Sequence, residues 1–562
     1  MRHLHLDLPR LAGAFLVASA PAAGAEEAPR LQMNQVLVGS LDQPKARALL
    51  RDADGAALSA PGVGDLFGSG GETTYFVEGF YDTGAGTVLL GPTTARSFGL
   101  DTVPGATFAD VGVGGLDFFD ISETFSLELA DYDSAIAGDL DDPTRFASTY
   151  LHRFEDLRAA VGPRGDASPG APRDPIDDLI GSLSEFNVFG TPLMKDKLAV
   201  FDSRGLNGLF EAPGADPREI RAFTSLIDPE SLSGLGDLQL KTHIYGSPNA
   251  PGGRGGQSVV RGPSQPELPT WDARIATDYA DFDALTITTG GEPPALAHNP
   301  FVGPAPALAD EDPDDGGEAV RGVTINTHGV SSEGSWLFDT GAAATIWSAK
   351  SAAAHGVFYS TEAGKELGSA DPTLVDAAGN EIGAGGNGQF QLQVGGVGGT
   401  LNIAGFFVDE LLVPALRDDG AGGEEAFDLV FTDAPVLVAD ISIDATPDDE
   451  TDDEVFTLAG VFGMNLLVPS LYIDGLGLNP SALGGAPVVN GNFDAFAFDE
   501  PTGDVLLRFN RDLVAVTEVP EPAAAATLLL GIAAGLRRRR GTGPAGRATR
   551  RQSTRTSTHT SR

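Results

Sequence analysis

The sequence predicts a mostly β protein in which one structural unit is used twice. Three observations carry that expectation. Glycine and proline are abundant, 73 and 38 in 562 residues, and away from the chain ends no apolar pattern sustains the helical period. The stretch Tyr81-Asp82-Thr83-Gly84-Ala85 returns as Phe338-Asp339-Thr340-Gly341-Ala342. A second pair follows these by roughly a hundred residues, an interval with room for one β-rich lobe: Val188-Phe189-Gly190-Thr191-Pro192-Leu193-Met194, and Val461-Phe462-Gly463-Met464-Asn465-Leu466-Leu467.

Each Asp-Thr-Gly reads as a tight turn at the end of a buried strand. The apolar run ends in Tyr81 or Phe338, and the glycine two residues after the aspartate lets the backbone reverse without a Cβ clash. The turn therefore presents one carboxylate, and the intervening threonine carries a hydroxyl able to bond across to the other turn. A single Asp-Thr-Gly is weak evidence; the repeat is what counts. Both copies continue through an apolar stretch, Thr87-Val88-Leu89-Leu90 and Thr345-Ile346-Trp347. Both then reach a similar ending, Ala95-Arg96-Ser97-Phe98-Gly99-Leu100 and Ala353-Ala354-His355-Gly356-Val357.

At these residues the chain resembles the pepsin-like and retropepsin-like aspartic proteases, with Asp-Thr-Gly-Ala followed downstream by an apolar-apolar-Gly brace. The resemblance implies a bilobal fold of double-ψ β-barrel-type lobes with the active site in the cleft between them. It implies Asp82 and Asp339 as the catalytic pair. Thr83, Gly84, Thr340 and Gly341 would support the catalytic loops, with Gly190 and Gly463 in the braces. It further implies an endopeptidase without metal or organic cofactor, acting as a monomer on an extended peptide or protein. The flap residue that such an enzyme closes over its substrate has three candidates, Phe118, Phe119 and Tyr132.

In chain order, residues 1–25 read as a secretory signal: Arg2 and Arg10, an apolar core over 11–20, and Ala23-Gly24-Ala25 before Glu26. The first lobe is expected over 26–211. It opens with a strand near Gln35-Val36-Leu37-Val38, which the resemblance places in an inter-lobe sheet, and a short helical patch over 46–50. A strand over 73–81 enters the first turn, and alternation in Phe125-Ser126-Leu127-Glu128-Leu129 suits a half-buried strand. Residues 141–175, with a helix-like patch over 153–160 and then a Pro/Gly-rich loop, read as an insertion. Residues 212–318 contain no copy of the repeat and are read as the end of lobe one, the connection and a Pro/Gly-rich insertion, with strands over 238–245 and 284–289. The second lobe is expected over 319–518.

The C-terminal end carries Val519-Pro520-Glu521-Pro522, an apolar run over 523–536 and Arg537-Arg538-Arg539-Arg540. The run is shorter than the roughly 20 residues that span a bilayer comfortably. Motif, run and arginines together resemble the PEP-CTERM sorting signal processed by exosortases of some Gram-negative bacteria, assigned here to 519–540. A basic tail, expected to be disordered, occupies 541–562. An ordinary C-terminal anchor is the alternative reading of the same segment. The implied location is the bacterial envelope, the cell surface or the medium, with an exosortase-type enzyme as partner and membrane contact only through the C-terminal segment.

The net charge of −43 argues against nucleic acid and anionic membrane surfaces as partners. The absence of cysteine excludes disulfide scaffolds, Cys metal sites and thiol nucleophiles. No Gly-x-Ser-x-Gly, His-Glu-x-x-His or phosphate-loop motif occurs, and His152, His243, His298, His328 and His355 lack ligand spacing. The run Asp310-Glu311-Asp312-Pro313-Asp314-Asp315-Gly316 misses the EF-hand register, so it reads as a solvated acidic loop, as does 448–454. The other class of function compatible with these features is a non-catalytic peptide-binding, envelope or matrix protein built on the same fold.

Overall fold

The computed structural model describes residues 28–33, 36, 38–40, 43–60, 75–112, 115–130, 150–162, 187–203, 222–227, 242–244, 270–280, 288–289, 291–304, 321–383, 388–396, 399–444, 455–471, 488–489 and 491–514. The readings placed on 1–25, Tyr132, 310–316, 448–454, 519–540 and 541–562 lie outside these residues.

The protein is mostly β. Among the described residues the strands assemble into a 10-stranded sheet, a 17-stranded sheet and three small ones, and no sheet closes as a barrel. Strands Phe76–Tyr81, Val88–Leu90 and Val188–Phe189 lie in the 10-stranded sheet; Trp336–Phe338, Ile346–Ser348 and Gly460–Phe462 lie in the 17-stranded one.

These two triplets share one register. Phe189 lies opposite Tyr81 in parallel, as Phe462 lies opposite Phe338. Val188 pairs with Leu89 and Val461 with Ile346, each partner seven residues after its aspartate. A six-residue helix follows in both copies, Pro92–Ser97 and Ala349–Ala354. It ends on Gly99 (φ 71°) in the first copy and Gly356 (φ 78°) in the second, left-handed positions that a side chain rarely adopts. The echo in the sequence is thus an echo of helix-ending geometry. The helices start differently. Ser348 caps the second with its side chain, whereas Gly91 and Pro92 open the first with no side-chain cap.

Two local expectations are corrected. The patch over 46–50 is strand Lys45–Arg51, and the patch over 153–160 is strand Tyr150–Leu157 followed by Ala160–Val161. Their residue types tolerate a helix, but backbone pairing decides the outcome. Lys45–Arg51 is held between Phe76–Tyr81 and Phe125–Ala130, and Tyr150–Leu157 extends the same sheet beyond Phe125–Ala130. The early strand is Arg30–Gln32, which pairs in parallel with 428–430 in the 17-stranded sheet; Gln35 and Leu37 lie outside the described residues. Within 212–318 the strands include Thr242–Ile244, Thr288–Thr289 and Asn299–Val302.

The core runs directly beneath both turns. Tyr81 stands 6.3 Å from Phe201, Phe201 stacks on Phe496 at 4.7 Å, Phe496 meets Phe338 at 6.3 Å, and Phe338 meets Phe462 at 5.7 Å. Every ring in this chain is at most 1% exposed. Contacts of this kind contribute about 0.5–1.5 kcal/mol each beyond the burial itself, so the strands delivering the two aspartates rest on one continuous aromatic floor. Of the flap candidates, Phe119 is fully buried against Phe108 in the hairpin of Thr102–Gly112 and Gly115–Ser122, which makes it core. Phe118, on the other face of that strand, is half-buried. Separately, the turn over 418–425 is closed by Asp419, whose Oδ1 accepts the N–H groups of Ala421 and Gly423 at 2.7 and 2.9 Å.

Candidate active site

Both turns belong to one compact unit, and the fold brings them face to face. The contact is made first by the threonines. Thr83 Oγ1 donates to Phe338 O at 2.6 Å and accepts from Thr340 N at 3.1 Å. Reciprocally, Thr340 Oγ1 donates to Tyr81 O at 2.7 Å and accepts from Thr83 N at 3.0 Å. Both threonines are 0% exposed. Each hydroxyl therefore closes on the carbonyl just before the opposite aspartate, and the four bonds fix the separation of the two turns.

The glycines let the carboxyls approach. Gly84 N donates to Asp82 Oδ1 at 2.7 Å, and Gly341 N donates to Asp339 Oδ1 at 2.7 Å and to Asp82 Oδ1 at 3.2 Å. Ala342 N adds a bond to Asp339 Oδ1 at 2.8 Å. A Cβ on Gly84 would overlap the Asp339 carboxyl, and one on Gly341 would overlap that of Asp82. Only a residue without a side chain allows each turn to sit this close to the other's acid.

The braces hold the turns from behind. Asp82 N donates to Phe189 O at 3.0 Å and Thr191 N to Ala85 O at 2.9 Å; in the second copy Asp339 N donates to Phe462 O at 3.1 Å and Met464 N to Ala342 O at 2.8 Å. A Cβ on Gly190 would fall on the backbone oxygens of Ala85 and Thr87, and one on Gly463 on the backbone of Ala344 and Thr345. Because the obstructing atoms are backbone, Gly190→Ala is expected to displace the first turn and cost about 2 kcal/mol of stability, read as a lower denaturant midpoint.

The side chains of Asp82 and Asp339 share a hydrogen bond, and both residues are half-buried. Burial pushes both carboxyls above the usual carboxylate range. For Asp82 this is opposed by the bond to Asp339 and the N–H groups of Gly84, Gly341 and Ala85. For Asp339 burial and the charge of Asp82 act together and raise it well above that range. Each Oδ1 accepts two backbone N–H groups, so the pair is held as one acid system sharing a proton. Two like charges about 4 Å apart repel by about 4 kcal/mol at an effective dielectric near 20, so the pair titrates as a unit. Chemically, the arrangement offers a base and an acid side by side at one point.

The raised acids also bear on stability. Carboxyls raised above their unfolded value contribute stability that is fully present below about pH 4 and is lost as the pH climbs through their folded range. Asp339→Asn is therefore expected to flatten the fall of the thermal midpoint with rising pH relative to the parent protein, measured by thermal unfolding in a buffer series.

Two further residues touch the turns. Asn299 Nδ2 donates to Thr83 O at 3.0 Å from a 4% exposed position, and Gln43 Nε2 donates to Gly341 O. Neither is marked by any local motif, since each reaches its turn only through strand pairing. Compared with protein-family models and with curated proteins, the chain matches none.

Proposed function

We propose that this protein is an exported aspartic endopeptidase that hydrolyses peptide bonds through a water shared by Asp82 and Asp339. One observation carries the reading: two half-buried carboxyls in hydrogen-bond contact, delivered by turns that are locked to one another through reciprocal threonine bonds. Two acids in contact are costly to assemble, and backbone N–H groups bond the Oδ1 of each.

In the proposed reaction the ionised member of the pair takes a proton from water as the water oxygen bonds to the scissile carbonyl carbon. The proton on the other carboxyl passes to the developing oxyanion. On collapse of the tetrahedral diol the C–N bond breaks, the proton taken from water goes to the amine nitrogen, and a diol hydroxyl returns a proton to the second carboxyl, which leaves a carboxylic acid, an amine and the pair in its starting state. On this reading the protein is bilobal and pepsin-like, needs no cofactor, acts as a monomer and accepts an extended peptide with apolar side chains near the cut. Export through the N-terminal signal and sorting by an exosortase-type enzyme complete the proposal.

The test is cleavage of a mixed peptide library by the purified full chain from about pH 3 to about pH 8, with and without a statine-type transition-state mimic. Cleavage blocked by the mimic supports the reading. No cleavage at any pH by folded protein overturns it in favour of a peptide-binding or matrix role.

A further inference from the structure

Asn299 and Gln43 contact the two turns in equivalent ways. Asn299 donates to the carbonyl of Thr83, and that carbonyl belongs to the same peptide unit as the Gly84 N–H that bonds Asp82 Oδ1 at 2.7 Å. Gln43 donates to the carbonyl of Gly341, which belongs to the same peptide unit as the Ala342 N–H that bonds Asp339 Oδ1 at 2.8 Å. A carbonyl can only accept, so in both cases the NH₂ end of the carboxamide faces it.

The two are also delivered crosswise. Strand Asn299–Val302 pairs with Trp336–Phe338, the strand that enters the second turn, yet Asn299 touches the first. Gln43 stands just before Lys45–Arg51, which pairs with the strand entering the first turn, yet it touches the second. Between them, Ser40 N donates to Ala343 O at 2.8 Å and Tyr81 N to Pro44 O at 2.9 Å, so the segment around Gln43 is tied to both turns. Asn299 is tied down as well: a Cβ on Gly86 would meet its Oδ1 at 3.0 Å, and Ala297 N bonds Gly86 O at 2.9 Å.

A donor on a peptide carbonyl polarises the unit and makes its N–H a stronger donor, and a stronger N–H favours the charged form of the carboxylate it bonds. We infer that Asn299 and Gln43 are positioning residues of the dyad, each acting through one peptide unit to set the acidity of one aspartate. The inference rests on the reading of Asp82 and Asp339 as a proteolytic pair. Among the described residues, few other groups complicate it. Each carboxyl faces the other, and Tyr81, beneath Asp82, is buried with its hydroxyl donated to Leu193 O at 2.8 Å. His298, beside Asn299, is exposed, with its ring 6.2 Å from that of Tyr279.

The experiment compares the full chain with Asn299→Leu and Gln43→Met, following kcat/KM against pH on a peptide the parent protein cleaves. Loss of either bond weakens an N–H that favours the charged form of a carboxylate, so each variant should raise at least one limb of the profile by about half a pH unit. Variants that lose rate or stability while both limbs stay in place overturn the inference, because that is what merely satisfying a buried carbonyl would produce. Should Asn299→Leu not fold, Gln43→Met, at a half-buried site, carries the same test.

A second readout needs no activity. Asn299→Leu should shift the pH at which thermal stability falls in the parent background and have no such effect in Asp82→Asn. An equal effect in both backgrounds overturns the inference. If the parent protein cleaves nothing, the proteolytic reading falls by itself, and the unfolding series still decides whether the carboxamides act on the acids.

Discussion

Asp82→Asn and Asp339→Asn are each expected to lower kcat/KM for peptide cleavage by roughly a thousandfold or more while leaving the protein folded. The amide is nearly the same shape as the acid and keeps an oxygen for the turn's N–H groups, so Gly84 can still bond the side chain at position 82, and Gly341 and Ala342 can still bond the one at position 339. What is lost is proton chemistry. An amide at either position could neither take a proton from water nor hand a carboxyl proton to an oxyanion. Because each change also removes one of two repelling acids from a buried site, the thermal midpoint near neutral pH should be unchanged or higher. The decisive measurement is therefore paired: cleavage kinetics beside thermal unfolding of the same samples. Activity lost at preserved or increased stability identifies the dyad. Full activity in either variant would remove that aspartate from the mechanism.

The second large effect is on the fold itself. Thr340→Val should destabilise the protein by about 3 kcal/mol, since it strips the Tyr81 carbonyl and the Thr83 N–H of their partner where no water can replace it. Valine matches threonine in shape, so the loss isolates the hydroxyl. Thr340→Ser restores the hydroxyl and should recover most of the stability, leaving only the cost of a missing methyl group. Denaturant titration of the three proteins checks the order. A valine variant as stable as the parent would mean that the two turns are held together by packing on the aromatic floor and not by the threonine bonds.

Much of the site can be read from the chain because its parts are local. A strand end, an Asp, a Thr and a Gly in immediate succession specify a turn, and two copies specify two turns with the same register to their braces. The left-handed glycines at Gly99 and Gly356 are legible for the same reason: a helix end leaves a local mark. The patches over 46–50 and 153–160 are not legible in that way. Their residues are compatible with helix or strand, and the choice is made by edges of sheet contributed from elsewhere in the chain. Asn299 and Gln43 are invisible to any motif, because a single carboxamide at a sequence distance of 216 or 298 residues from its acceptor leaves no spacing to recognise.

By itself, the sequence determined which residues form the two turns, that the protein is mostly β, and that no thiol takes part, since these follow from residue identity and local backbone preference. Only the tertiary structure decided that the two carboxyls share a hydrogen bond and which carboxamides stand behind each turn. Those properties depend on burial and on distances between segments far apart in the chain, and such distances are set by packing and strand pairing.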